Sequence, residues 1–251
     1  MNDEDLLRFS RQIMLPDFDI EGQEQLANSC MLILGLGGLG SPVALYLAAA
    51  GVGHLKLVDD DQVDLSNLQR QIAHTNENIG IPKVASAAAR IQEINPRTKL
   101  STHPVRFDTN NLDDLLSDVT VALDCTDNYR TRYLLNDACW RRGIPVVSGA
   151  AIRWEGQVTV FDPTADDSPC YRCLYPNAGA ENLNCSENGV IAPLVGMIGT
   201  TQAMEAIKLA TGTGENLVGR LLHLDAKYLE FRELKLKRRE DCPTCAQAGT
   251  D

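Results

Sequence analysis

Met31-Leu32-Ile33-Leu34-Gly35-Leu36-Gly37-Gly38-Leu39-Gly40 joins four apolar residues to a run of glycines. A short apolar run bounded by a turn signal reads as a strand buried on both faces. The Gly35-x-Gly37-x-x-Gly40 spacing then permits a tight strand-to-helix turn, whose backbone N–H groups at the helix N-terminus approach phosphate oxygens. Val43 to Ala50 continue as that helix, and Leu55 to Val58 form a second strand ending in Asp59. An acid about 20 positions beyond the glycines meets a ribose hydroxyl in nucleotide sites of this type, and Asp59 occupies that place. Strand, helix and acid in register give the glycines a nucleotide-binding reading. Without that context they would only let a helix pack closely on a sheet.

Beyond Asp59 come Ser66-Asn67-Leu68-Gln69-Arg70-Gln71 and then Lys83, just after Pro82 at a helix start. A dinucleotide dehydrogenase has no need of this run, whereas a triphosphate needs cations to neutralise its charge and expose its α-phosphorus to attack. In isolation Arg70 and Lys83 would read as a solvated surface pair. Asp124-Cys125-Thr126-Asp127-Asn128 follows the apolar strand Val119 to Leu123, so its polar atoms emerge at the carboxyl end of a parallel sheet, where open α/β folds bind ligands. Asp127 is suited to holding Mg²⁺ on the phosphates. The alternative is that Asp127 or Asn128 caps the helix that follows, near Tyr129 to Arg142.

Leu6, Leu7, Phe9, Ile13 and Met14 recur at helical spacing and predict one amphipathic N-terminal helix carrying Arg8 and Arg11. A helix opened by Pro82 presents Val84, Ala88 and Ile91 on one face and stops at Pro96, while Pro145 to Val147 reads as another buried strand. Strands alternating with helices predict a parallel sheet. After Gly156 the texture changes to alternation, with Val158 and Val160 opposing Thr159 and Phe161. Pro193 to Leu209 then reads as an apolar helix, and Arg220 to Leu224 and Tyr228 to Leu236 as two strands. The predicted architecture is α/β: a Rossmann-like, mostly parallel sheet continuing into a mixed, antiparallel half. It divides into a helical arm over residues 1–30, a nucleotide-binding part over 31–165, and a zinc-bearing part of the same domain over 166–251.

Zinc is read from the cysteines. Of eight, four form two Cys-x-x-Cys pairs, Cys170/Cys173 and Cys242/Cys245, which together close a tetrahedral site with no open position, hence a structural one. Two thioredoxin-like redox pairs are the alternative, disfavoured because neither pair reads as opening a helix after a strand. Cys30, Cys125 and Cys139 lie in apolar periodic stretches and read as small core residues. Cys185, in the polar stretch Asn182 to Gly189, reads as an exposed thiol.

The 251 residues, 44% apolar, suffice for one large domain or two small ones. Thirty-four acidic against 23 basic side chains give −11, which leaves no electrostatic footprint for nucleic acid. No apolar run reaches the ~18 to 20 residues of a membrane span. The acidic start Met1-Asn2-Asp3-Glu4-Asp5 is unlike a secretory signal, so the expected location is cytoplasmic, where a disulfide framework is the weaker reading of the cysteines.

Gly35 to Gly40, Asp59, Ser66 to Gln71, Lys83, Asp124 to Asn128 and the paired cysteines together resemble the MoeB/ThiF group of ubiquitin-activating-enzyme-like adenylyltransferases, over nearly the whole chain. Within the group, Phe18-Asp19-Ile20-Glu21-Gly22-Gln23 and Ser148 to Gln157 are similar to the molybdopterin-synthase branch. The thiazole-synthesis branch, which serves thiamine biosynthesis, shares the other motifs. The resemblance implies ATP-dependent adenylation of the C-terminal glycine carboxylate of a small ubiquitin-like sulfur carrier ending in Gly-Gly, the small subunit of molybdopterin synthase, in molybdenum cofactor biosynthesis. It implies that Gly35, Gly37, Gly38, Gly40, Asp59, Ser66, Asn67, Leu68, Gln69, Arg70, Lys83, Asp127 and Asn128 bind ATP, with Asn67, Arg70, Lys83 and Asp127 acting in the chemistry.

Arg11 matches an arginine that reaches the neighbouring subunit's nucleotide, which implies a homodimer. A persulfide donor would then sulfurate the activated carrier, the one step in which Cys185 is implied, and residues 166–251 would also bind the carrier. Two readings of other classes stand beside this one. Residues 1–60 alone would satisfy an NAD-dependent dehydrogenase, and a non-catalytic zinc-stapled scaffold would merely bind the carrier.

Overall fold

The computed structural model describes residues 1–176 and 189–246. Eight strands form one sheet: β1 (Cys30–Leu34), β2 (His54–Val58), β3 (Lys99–His103), β4 (Val121–Asp124), β5 (Val146–Ile152), β6 (Glu155–Phe161), β7 (Arg220–Asp225) and β8 (Glu230–Lys235). Their order across the sheet is β3-β2-β1-β4-β5-β6-β7-β8. Pairing is parallel from β3 to β5 and antiparallel from β5 to β8, as the change of texture near Gly156 predicts. Nine α-helices lie among the described residues: α1 (Asp3–Arg8), α2 (Ser10–Ile13), α3 (Asp19–Asn28), α4 (Gly40–Ala50), α5 (Lys83–Ile94), α6 (Leu112–Leu116), α7 (Tyr129–Arg142), α8 (Tyr171–Leu174) and α9 (Ala192–Thr211). Among the described residues no helix is long and apolar enough to cross a membrane.

β1 is buried along its whole length because both faces are covered. Met31 and Ile33 join the core formed with α4, α5 and α9. Leu32 and Leu34 join a second core with Leu115 and Leu116 of α6 and Leu135 and Cys139 of α7. The strand order reverses between β1 and β4, which pair with Leu34 opposite Asp124. A crevice therefore opens at their carboxyl ends, between the glycine turn and the turn after Asp124.

The N-terminal arm differs from the single predicted helix. It breaks at Phe9, which turns inward and is buried against the end of α4. A further helix, α3, then enters the core through Leu26 and Gln23, whose Nε2 donates to Ala50 O at 3.0 Å. That buried amide satisfies a carbonyl at the end of α4, a service that apolar periodicity does not reveal. β3 and α6 also escape the pattern reading. β3 is a half-exposed edge strand of mixed composition, and α6 is little more than one turn.

Candidate active site

Gly35 has φ +94°, and an added Cβ would stand 2.8 Å from Cys125 O. At Gly40 it would stand 1.8 Å from Gly35 O. Glycine is therefore required at both positions, by the left-handed backbone at the first and by the closeness of the turn at the second. Both sides of the Leu36 peptide are held. Its N–H donates to Asp59 Oδ2 at 2.6 Å, and its carbonyl accepts from His74 Nε2 at 3.0 Å. Because a carbonyl only accepts, the buried His74 is the Nε2–H tautomer, with Nδ1 receiving the Ser86 hydroxyl at 2.8 Å. Burial lowers the His74 pKa below its ordinary value, and the Lys83 charge adds to this. Burial raises that of Asp59, against the pull of Lys83.

Lys83 is 5% exposed, so it is not the solvated cation that composition alone would suggest. It pairs at 2.7 Å with Asp61, whose own carboxylate is largely exposed. Arg70 is half-buried and donates to Ser66 O at 3.1 Å. Asn67 closes the capping box of the turn Leu65–Asn67 by accepting from Asp64 N–H. At the β4 end Asn128 caps α7, accepting from Thr131 N–H at 3.0 Å. Asp127 makes no cap, and its exposed carboxylate is left to face the crevice.

These groups line a cavity of about 710 Å³, within the ~300–1,000 Å³ usual for ligand sites. Of the predicted nucleotide residues, Gly35, Gly37, Gly38, Asp59, Asn67, Arg70, Lys83, Asp127 and Asn128 lie on its wall. Gly40 lies inside the turn. Ser66 is bonded to Asp64, Leu68 ends the short helical turn, and Gln69 faces a separate pocket of about 330 Å³ shared with Arg70. Arg11 is exposed on α2 and does not line the cavity of its own chain. Cys185 lies outside the described residues.

The cavity extends past Asp127 over β5, β6 and β7, where Glu155, Gln157, Tyr175 and His223 line it. None of these is given a role at the site by the sequence, nor are Gln71 and Arg132. Gln71 is buried on the cavity wall, and its Oε1 has no hydrogen-bond partner among the described residues. The signal for Gln71 is its place in the polar run from Ser66. Arg132 has only its position one turn beyond Asn128.

The sulfurs of Cys170, Cys173, Cys242 and Cys245 all lie within 4.8 Å of one another. Cys170 and Cys242 are 3.4 Å apart and Cys173 and Cys245 3.3 Å, while tetrahedral zinc with ~2.3 Å bonds spaces its sulfurs by about 3.8 Å. Arg239 N–H also donates to Cys173 Sγ at 3.3 Å. The cluster fits a structural zinc ion. One premise of the sequence reading is corrected: Cys170 does stand at the N-cap of a helix, the short α8. Convergence of all four sulfurs nonetheless favours one metal site over two redox pairs. Cys30, Cys125 and Cys139 are buried, as core residues should be.

A model of the ThiF family matches residues 9–244. The chain is 48% identical over 247 residues to the molybdopterin-synthase adenylyltransferase of Escherichia coli (strain K12), covering 98% of this chain and 99% of that one. It is 45% identical over 251 residues to the sulfur carrier protein ThiS adenylyltransferase of the same organism, covering 100% and 99% respectively. A crystal structure of E. coli MccB with succinimide superposes with a TM-score of 0.82 at 21% identity, over 95% of this chain and 73% of that one. That likeness speaks to the fold alone.

Proposed function

The chain belongs to the ThiF family, and from that premise we propose that it adenylates the C-terminal glycine carboxylate of a ubiquitin-like sulfur carrier at the expense of ATP. The observation that carries this reading is the one cavity whose wall gathers the glycine turn, the acid Asp59, the polar and basic side chains of Asn67, Arg70 and Lys83 and the exposed carboxylate of Asp127, with room beyond for a second substrate. Asp59 receives the ribose, and the N–H groups of the glycine turn and Asn67, Arg70 and Lys83 receive the phosphates. Asp127 holds Mg²⁺, which supplies further positive charge on the phosphate oxygens.

The carrier carboxylate attacks the α-phosphorus. An O–P bond forms to the acyl group, the bond to the bridging oxygen breaks, and pyrophosphate leaves with the electron pair. No protein nucleophile is needed, because the chain supplies alignment and charge where the transition state is most negative. Cys170, Cys173, Cys242 and Cys245 hold zinc as a staple. Arg11, exposed and outside its own cavity, serves the cavity of a second copy in a homodimer. The division into an arm, a nucleotide part and a carrier-binding part follows the same logic, as does a cytoplasmic setting with a persulfide donor acting after adenylation.

Phe18 to Gln23 and Ser148 to Gln157 favour the molybdopterin-synthase carrier. The 45% identity to the ThiS enzyme keeps the thiazole-pathway carrier as a second reading. Purified carriers of both pathways, offered with ATP·Mg²⁺, test the proposal. The expected result is a mass increase of one adenylyl group on the molybdopterin-synthase carrier alone, with pyrophosphate release abolished when its Gly-Gly end is removed. Adenylation of the thiazole carrier would reassign the branch. Stabilisation of the fold by NAD and not by ATP would overturn the reading altogether, since a ligand at ~100 times its Kd adds about 2.7 kcal/mol.

A further inference from the structure

Arg132 is a nearly fully buried cation on the cavity wall. Burying a guanidinium costs several kcal/mol before any pairing is counted, so what it holds is informative. It pairs with the buried Asp124 at 3.6 Å, while its Nε is left without a hydrogen bond among the described residues. Nη2 donates to Thr126 O and, at 3.2 Å, to Gly149 O. Nη1 faces the hydroxyl of Tyr171 at 3.5 Å. Asp124 accepts from Thr126 N–H at 3.1 Å and from the Thr126 hydroxyl at 2.8 Å. The turn that presents Asp127 is therefore clamped from both sides by one buried ion pair.

The other end of this network is the cysteine cluster. Tyr171 follows Cys170 directly, its N–H donates to Asn136 Oδ1 at 2.8 Å, and its ring packs edge-on against Phe161 and Tyr133. Arg172 of the first pair donates to Asp137 at 2.6 Å, and Thr244 of the second donates to the same carboxylate at 2.7 Å. Asn136 and Asp137 lie on α7, the helix that carries Arg132 and is capped by Asn128. Both cysteine pairs thus grip the helix that positions the turn bearing Asp127.

We infer that Arg132 is a positioning residue that couples the four-cysteine site to the nucleotide end of the cavity. Metal loading favours the turn geometry that presents Asp127, and a nucleotide bound there tightens metal binding by the same factor, as linkage requires. The inference rests on the reading of the cavity as an ATP site.

The test measures zinc affinity of the full-length chain by competition with a chromogenic chelator, with Mg²⁺ alone and with ATP·Mg²⁺, and records the ATP-induced thermal shift alongside. In the wild-type chain ATP·Mg²⁺ should raise zinc affinity by about fivefold or more, the lower end of common coupling factors. Tyr171→Phe leaves every sulfur in place and should keep one zinc per chain while lowering that ratio. Arg132→Lys should do the same, and Tyr171→Phe carries the test if the lysine variant does not fold. An ATP-induced thermal shift with unchanged zinc affinity would overturn the coupling and leave the adenylation reading standing. Coupling undiminished in Tyr171→Phe would overturn the route through Arg132. Absence of any ATP-induced shift would remove the adenylation reading, and the coupling with it.

Discussion

Arg70 shows how far a single side chain can be read. Its type and place beyond the glycine turn predict a phosphate ligand, and it lies on the cavity wall with one guanidinium nitrogen bonded only to its own turn, at Ser66 O. Arg70→Ala should lower ATP–pyrophosphate exchange by ~10²- to 10³-fold with little change in melting temperature, as the exchange assay and a thermal melt would show. Lys83 was legible by the same route, because Pro82 marks the helix start that delivers it. Arg132 was not. Its partners come from the turn after β4, from β5 and from the first cysteine pair, and no local spacing records such a meeting. Asp127 and Asn128 were equal candidates for one cap in sequence, and only the hydrogen bond to Thr131 N–H separates them.

At the scale of elements, the glycine turn was legible because backbone sterics act locally. The added Cβ at Gly40 would collide with Gly35 O at 1.8 Å, and no side-chain rearrangement relieves a clash with backbone. Gly40→Ala should therefore destabilise the fold by about 2 kcal/mol or more and abolish the ATP-induced thermal shift. A variant that melts at the wild-type temperature with that shift intact would show that the turn is looser than it stands here. Of the parallel strands, β1, β2, β4 and β5 were legible through short, largely apolar runs, whereas the edge strand β3 was not. The entry of α3 into the core was not, because a buried glutamine and a few apolar contacts do the work that an apolar stripe does elsewhere.

Across the whole molecule, acid sensitivity follows from the histidines. His54, His74 and His103 all have pKa values lowered chiefly by burial. The unfolded chain therefore takes up these protons first, near the ordinary value of 6.5, and stability present above that pH is lost as pH falls through and below it. Urea melts between pH 7.5 and 5.5 should show this decline. His74→Gln, whose amide can still donate to Leu36 O, should make it shallower, leaving the part due to His54 and His103. An unaltered slope would mean that His74 charges in the fold without penalty. The overall architecture was legible because the switch from helical to alternating patterns falls where the sheet changes from parallel to antiparallel. The meeting of the cysteine pairs with α7 was not, since it depends on Asp137, whose partners Arg172 and Thr244 stand 35 and 107 residues further along the chain.

β8 ends the sheet, and all six of its residues are exposed. One row of its main-chain amides and carbonyls has no neighbouring strand among the described residues, so an extended segment of another molecule could lie down there and grow a fibril. Four of its residues, Glu230, Arg232, Glu233 and Lys235, are acidic or basic and discourage such stacking. Glu230→Val together with Arg232→Val should leave enzyme turnover near normal yet make concentrated solutions scatter light on standing. The shelf life of this catalyst thus depends on a strip of charge that lies outside its cavity.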